Sequence, residues 1–524
     1  MLQDQDLLSI QEVRTKVDKA YAAWQKYLGY SQEKIDSIVE HVAAAARANS
    51  QRVAELAVEE TGYGNARDKN IKNLLACDVL PRRMRGMKTV GVLRELTEEK
   101  VVEIGVPVGV VAAILPTTNP TSTAIYKTLI SLKAGNAVVI SPHPRAHRCT
   151  CVTAAILYEA AVEAGAPEDL VQCVDTATME GTQALMRHER TSVILATGGS
   201  GIVKAAYSSG KPAFGVGPGN VPVLVDTSSD LEDAVGKVVA GKSFDYGTVC
   251  SSEQAIVAED SLRERILGIL KSQKAYLADD AQKLALGKLL IMPNWTVNAN
   301  CVGQSPVKIA KMAGFEVPPD TSIICCEIAG VGKQYPLSAE KLSPVLSLHF
   351  VKDFAAAVDT CYALLKFGGL GHTAVIHARD EARIRQYGLR VPAMRVLVNT
   401  PAPQGSTGIT TNVFPAMTLG CGAAAGNATS DNIGPLNLIN IKRLAYAVRR
   451  AEEAFETRVG VAAGAPAFGG IDRGTVAAAV DRYLAARGIT QSGGVTQGTV
   501  SNVATEVVDR FLSRRSTGPK TGFS

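Results

Sequence analysis

The chain has 524 residues, with 55 Lys and Arg against 50 Asp and Glu for a net charge of +5, so it is too long for one core and should divide into two or three domains. Its basic residues are spread among acids without basic blocks or interleaved aromatics, which argues against a nucleic-acid partner. No apolar run approaches the ~20 residues that span a bilayer, and the start, MLQDQDLLSIQEVRTKVDKAYAAW, lacks a signal peptide's basic end and apolar middle; no membrane and a cytoplasmic location are expected.

Roughly the first 75 residues read as helices, with Ile35, Ile38, Val39, Val42 and Ala43 recurring at helical spacing in an outer layer. Residues 87–109, MKTVGVLRELTEEKVVEIGVPVG, alternate as a protruding hairpin suited to a homo-oligomer interface, dimer or tetramer. From Val110 short apolar runs alternate with helical segments: VVAAIL (110–115), NAVVIS (136–141), VQCV (171–174) and SVILAT (192–197). Such runs predict parallel strands covered on both faces, a doubly wound α/β sheet whose strand ends bind a nucleotide. After PVLVD (222–226) a second α/β segment follows. The expected partition is therefore a nucleotide-binding domain over 1–224, a catalytic domain over 225–423, a return segment over 424–459 and a tail over 460–524. In that tail, Gly-rich stretches precede two similar helical segments, VDRYLAAR (480–487) and VDRFLSRR (508–515). The second places Val507, Val508, Phe511 and Leu512 on one apolar stripe, which reads as a docking element.

Cys250 lies in FDYGTVCSSEQ (244–254), about 30 residues after the glycine-rich FGVGPGN (214–220), with no carboxylate placed to activate water. A thiolate attacks an aldehyde without a dedicated base, and the adduct can expel hydride to an oxidised nicotinamide. The plainer reading is a buried structural thiol. Asn119, in the turn PTTNPT (116–121) between strand and helix, could offer an amide N–H to an oxyanion, although Asn in such a turn is more often a turn former. TGGSG (197–201) opens a helix after a strand and could receive a pyrophosphate, a weak signal on its own. His372 could assist an incoming thiol or be an ordinary hydrogen-bonded histidine. In a reducing compartment the ten cysteines read as thiols without disulfides. The Cys149/Cys151 and Cys325/Cys326 pairs lack a second pair or a His at zinc-finger spacing, and no HExxH is present, so no metal is expected.

Taken with ILPTTNPTSTAIYKTLISLKAGNAVVISPHP (114–144), LATGGSGIVKAAYSSGKPAFGVGPGNVPV (195–223), EKLSPVL (340–346) and TLGCGAAAGNATSDNIGPLNLINIKRLA (418–445), these motifs resemble the aldehyde dehydrogenase superfamily, and most closely its coenzyme A-acylating branch from bacterial microcompartments. The likeness runs from about residue 5 to residue 455. It implies an aldehyde dehydrogenase-like α/β fold: a Rossmann-type cofactor domain, an α/β catalytic domain, an oligomerisation hairpin and a C-terminal helical tail. Cys250 matches the family's nucleophile and Asn119 its oxyanion amide. Glu340 matches the residue that holds the nicotinamide ribose; Gly198, Gly199 and Ser200 the pyrophosphate turn; Ser141 and Pro142 the adenine-ribose edge; and Thr117, Thr118 and Gly217 further cofactor contacts.

Two departures carry information. Hydrolytic relatives have a glutamate in an ELGGK motif, whereas FGVGPGN puts Val216 or a flanking glycine there. Ser141 stands where NAD(P)-binding relatives often carry lysine, which leaves the choice between NAD and NADP open. The implied reaction joins a short aldehyde, propionaldehyde or acetaldehyde, with NAD and coenzyme A to give acyl-coenzyme A and NADH. The alternatives are a hydrolytic enzyme using another carboxylate such as Glu253, or an inactive scaffold. The tail resembles the encapsulation peptides that bind shell proteins, which implies the microcompartment lumen.

Overall fold

The computed structural model describes residues 4–455 together with Gly474, Ala478 and Arg482. Contacts divide the chain into two units, 1–446 and 447–524. In the second unit, the described residues include a short turn of helix at Ala451–Ala454; both predicted tail helices lie outside the described residues.

The first unit begins with helices. Asp4 caps Gln5–Tyr27 by accepting from the Asp6 and Leu7 N–H groups, and Ser31 caps Gln32–Ala48 through the Lys34 N–H. The predicted stripe is buried: Ile35, Ile38, Val39, Val42 and Ala43 all face the core. Two further helices, Ser50–Thr61 and Ala66–Leu74, pack on each other.

Strands β1 (Gly91–Leu96) and β2 (Val101–Pro107) form the antiparallel hairpin expected within 87–109. The next five, β3 (Val110–Ile114), β4 (Ala137–Ser141), β5 (Val171–Cys173), β6 (Thr191–Thr197) and β7 (Ala213–Val216), make a parallel sheet in the order β5-β4-β3-β6-β7. β3 and β4 are buried along their whole length, as continuous β-branched and alanine runs require. A second parallel sheet holds β8 (Val221–Val225), β9 (Glu253–Glu259), β10 (Tyr276–Leu277), β11 (Ile324–Glu327), β12 (Val345–Val351), β13 (Gly371–His377) and β14 (Ala393–Val398), ordered β10-β11-β12-β9-β8-β13-β14. Finally β15 (Ile439–Ala445) returns to pair antiparallel with β2.

Two expectations need correction. Residues 221–224, assigned to the nucleotide-binding domain, belong to the second sheet, because β8 pairs with β9 and β13 and not with β7. The cysteines are not all free: Cys151 on the helix His147–Glu163 is bonded to Cys173 at the end of β5, with Cα atoms 5.7 Å apart. The fold brings these two elements side by side, a proximity that spacing along the chain does not reveal.

One buried lysine ties the first sheet to its covering helix. Lys127, in the fully buried helix Pro120–Lys133, donates to the carbonyls of Ile114 (2.7 Å) and Leu195 (2.8 Å), at the ends of β3 and β6. Burial depresses its pKa well below the ordinary lysine value. Lys127→Met keeps the stem and removes both buried hydrogen bonds; it should cost about 2–4 kcal/mol. Urea unfolding measures this, and an unchanged midpoint would contradict the account.

Candidate active site

In the first sheet the chain runs from β3 outward to β4 and β5, then returns to β6 on the other side of β3. Connections leaving β3 and β6 therefore diverge, and the gap between them is the place where a doubly wound sheet holds a ligand. A cavity of about 840 Å³ occupies it. Thr117, Thr118 and Asn119 line it after β3, Ser141 and Pro142 after β4, Gly198 and Gly199 after β6, and Val216 and Gly217 after β7; Cys250 and Glu340 close the other wall. Ser200 opens the helix Ser200–Tyr207, whose first turn receives no side-chain cap. Those N–H groups suit the pyrophosphate of a dinucleotide. At Gly198 a Cβ would come within 2.7 Å of Ile202, so the turn takes glycine without displacing its helix. Ser141 is buried with its hydroxyl 2.8 Å from that of Thr182.

Cys250 owes its position to the turn before it. After the helix Leu231–Ser243, Asp245, Tyr246 and Gly247 have φ of +47°, +51° and +72°, and this left-handed run reverses the chain. At Gly247 a Cβ would sit 2.8 Å from the Ser343 carbonyl oxygen, so no larger residue fits. The cost of two non-glycine residues in that region is offset by the Asp245 side chain. Asp245 is 0 % exposed. Its carboxylate pairs with Lys69 at 3.1 Å and with Lys72, accepts the Asn65 N–H at 2.9 Å and accepts the Thr248 hydroxyl. Lys72 also donates to Oδ1 of Asn119 at 2.6 Å, and Lys69 to the Thr118 carbonyl at 3.0 Å. One buried ion cluster thus holds both the Cys250 loop and the Asn119 turn. It has no counterpart in the sequence reading, because ARDKNIKNL looks like a solvated helix face.

Cys250 is half-buried, and the other free cysteines among the described residues are buried. Burial, then Glu340 and Cys421, push its thiol up to about 12, while Arg395 acts in the opposite direction. Glu340 accepts the Gly219 N–H at 2.9 Å, and burial raises its pKa to about 8. It is the single carboxylate on the cavity lining. Arg395, buried, donates to the carbonyls of Gly420 (2.6 Å) and His372 (2.7 Å), and among the described residues it has no carboxylate partner.

Two sequence-predicted residues are not brought to the cleft. His372 is 0 % exposed, with Nδ1 3.0 Å from the Thr373 hydroxyl, and its ring lies 3.1 Å from where a Gly219 Cβ would be. Burial and Arg395 lower its pKa to about 3, so it is neutral and walled off from an incoming thiol. Glu253, the alternative water base, accepts the Ala402 N–H at 2.6 Å and is packed against Gly241, away from the cavity lining. Val216 lines the cleft with an apolar side chain. Among the described residues, ligand atoms of His147, Cys151 and Asp175 lie within 4.8 Å of one another, but Cys151 is bonded to Cys173 and Asp175 pairs with Lys16 at 2.7 Å.

The model of the aldehyde dehydrogenase family matches residues 4–287. The chain belongs to the aldehyde dehydrogenase family. It is 42% identical over 449 residues to the bifunctional aldehyde-alcohol dehydrogenase of Escherichia coli K12, covering 85% of this chain and 50% of that protein. The chain thus spans about half the length of the first curated relatives it matches. An acetylating aldehyde dehydrogenase structure from Geobacillus thermoglucosidasius superposes with a TM-score of 0.84 at 49% identity, over 86% of this chain and 99% of that one. A Rhodopseudomonas palustris propionaldehyde dehydrogenase, solved with bound CoA and an acylated cysteine, has a TM-score of 0.75 at 29% identity, over 83% and 97% of the chains.

Below its pKa of about 12, the Cys250 thiol gains about tenfold in thiolate for each unit that the pH rises. Because the other free cysteines among the described residues are buried, iodoacetamide should label Cys250 first, at a rate that climbs tenfold per unit from pH 7 to pH 10 in the ligand-free protein. Peptide mapping checks the site, and a plateau below pH 9 would contradict the environment described.

Proposed function

We propose that this chain is a coenzyme A-acylating aldehyde dehydrogenase, which oxidises a short aldehyde with NAD and passes the acyl group to coenzyme A. The observation that carries the reading is a cysteine in a nucleotide-type cleft whose one lining carboxylate is engaged by the Gly219 N–H; by the resemblance, Val216 or a flanking glycine stands where hydrolytic relatives place a glutamate. Cys250 loses its thiol proton to solvent, and the resulting thiolate attacks the aldehyde carbonyl, its lone pair forming the C–S bond while the C=O π pair moves to oxygen as an oxyanion that the Asn119 amide and the Cys250 N–H are suited to receive. NAD, when bound, supplies the hydride acceptor that turns this adduct into a thioester. Glu340 is placed for its ribose hydroxyls, Gly198, Gly199 and Ser200 for its pyrophosphate, and Thr117, Thr118, Ser141, Pro142 and Gly217 for its remaining contacts. The thioester carbonyl is then attacked by the coenzyme A thiol, and Cys250 leaves as thiolate, so the acyl group moves between near-equivalent sulfurs.

Tyr63, Trp295 and Phe367 also line the cavity, the last two packed edge-on at 5.9 Å. Such a lining favours a small apolar aldehyde such as propionaldehyde or acetaldehyde over a charged one. The exposed side chains of Val92, Ile441 and Leu444 on the β1-β2-β15 sheet support a homo-oligomer through the hairpin. The tail over 460–524 is read as the element that docks on microcompartment shell proteins.

Mixed with aldehyde and NAD but no coenzyme A, the enzyme should release one NADH per active site and stall, and coenzyme A should restore turnover. Cys250→Ala should abolish both phases while binding of NAD persists. Steady NADH formation with free acid as product would overturn the acylating reading. A variant ending at residue 459 should keep its specific activity yet no longer co-purify with shells; loss of activity instead would make the tail structural.

A further inference from the structure

We infer that Lys72 is a positioning residue for the chemistry at Cys250: its ammonium fixes the Asn119 carboxamide with the N–H edge turned to the cleft. The inference rests on the acylating reading, since it assigns Asn119 the oxyanion. A carboxamide can flip, and the two orientations have opposite consequences, because only the NH₂ edge stabilises an oxyanion. Lys72 removes that ambiguity. An ammonium has three donors and no acceptor, so the atom 2.6 Å from Nζ must be Oδ1 and the NH₂ group must lie on the other side. One Nδ2 hydrogen is used on the Thr118 hydroxyl at 3.0 Å, which leaves the second free.

All three Lys72 donors have an acceptor: Asn119 Oδ1, the Asp245 carboxylate, and the Thr248 hydroxyl at 3.3 Å. Thr248 donates its hydroxyl hydrogen bond to Asp245, so hydrogen-bond directions agree throughout the cluster. Asp245 supplies the charge that keeps Lys72 an ammonium in a dry site, although burial brings its pKa down to about 8. The groups facing it are Asp245 and Asn119, with Lys69 and Asp68 adjoining Asp245. Thr248, two residues from Cys250, is held by Asp245 as well as by Lys72, so its loop keeps an anchor when Lys72 is replaced and the Lys72 effect runs through Asn119.

The test is a double-mutant cycle on the full chain, with the NADH burst rate as readout for wild type, Lys72→Met, Asn119→Ala and the pair. Lys72→Met should slow the burst about 30- to 300-fold, in the range seen when an oxyanion donor is lost, with the affinity for NAD unchanged. In the Asn119→Ala background the same change should cost less than about threefold, because the group it orients is gone. Full additivity, or a Lys72→Met burst near wild type, overturns the inference. If Lys72→Met does not fold, Asp245→Asn carries the cycle with the same two outcomes. The acylating reading is judged separately by the wild type, whose burst and coenzyme A-dependent turnover need neither variant.

Discussion

Asp245 is a carboxylate sealed from solvent, and its charge decides how much else is arranged. Two lysines from the helix Ala66–Leu74 turn inward to neutralise it, and a backbone N–H and a hydroxyl fill its remaining lone pairs. Removing one member of such a buried set costs about 3–5 kcal/mol, because the partner left behind stays charged. Replacing the whole set by apolar side chains would be far cheaper for stability. Its value lies elsewhere: the lysines that answer Asp245 also grip Thr118 and Asn119, so the nucleophile loop and the turn after β3 are held in one register. Even the chain entering this helix is constrained. At Gly64, with φ +71°, a Cβ would fall 1.9 Å from the Asp245 carboxylate.

The surroundings of Cys250 follow a consistent logic of what is withheld. The carboxylates nearest the chemistry are protonated more readily than usual, Glu340 and Glu253 each near 8, and both are engaged by backbone N–H groups. Neither is a free base poised over the cleft. Arg395 directs its two terminal nitrogens to carbonyls behind the cleft, where its charge lowers the cost of a thiolate without touching it. A thioester formed here is short of help from water and waits for a better nucleophile.

Much of the architecture was legible because it rests on local pattern. The runs around Val111, Val139 and Ile194 became β3, β4 and β6, and the spacing of Ile35, Ile38 and Val42 became a buried helix face. β7 is absent from the sequence reading, since Ala-Phe-Gly-Val is short and carries a glycine. The boundary near residue 221 was displaced because only pairing partners tell which sheet a strand joins. At the site, Cys250, Asn119 and Glu340 share one cleft, and of the two readings left open for His372 its position behind Gly219, set by how β13 packs, matches the hydrogen-bonded one. The Lys69, Lys72 and Asp245 cluster was invisible for a physical reason: buried and exposed lysines share one spacing, and their partner lies more than 170 residues away.

The central claim is that the acyl group rests on Cys250 and leaves only to a thiol. Intact-mass spectrometry after exposure to propionaldehyde and NAD tests it most directly. The protein should carry one acyl group, mapped to Cys250 and stable in buffer, and adding coenzyme A should return the native mass with an equal amount of acyl-coenzyme A. An adduct that decays in water as fast as the enzyme turns over, or one found on another residue, would contradict the account.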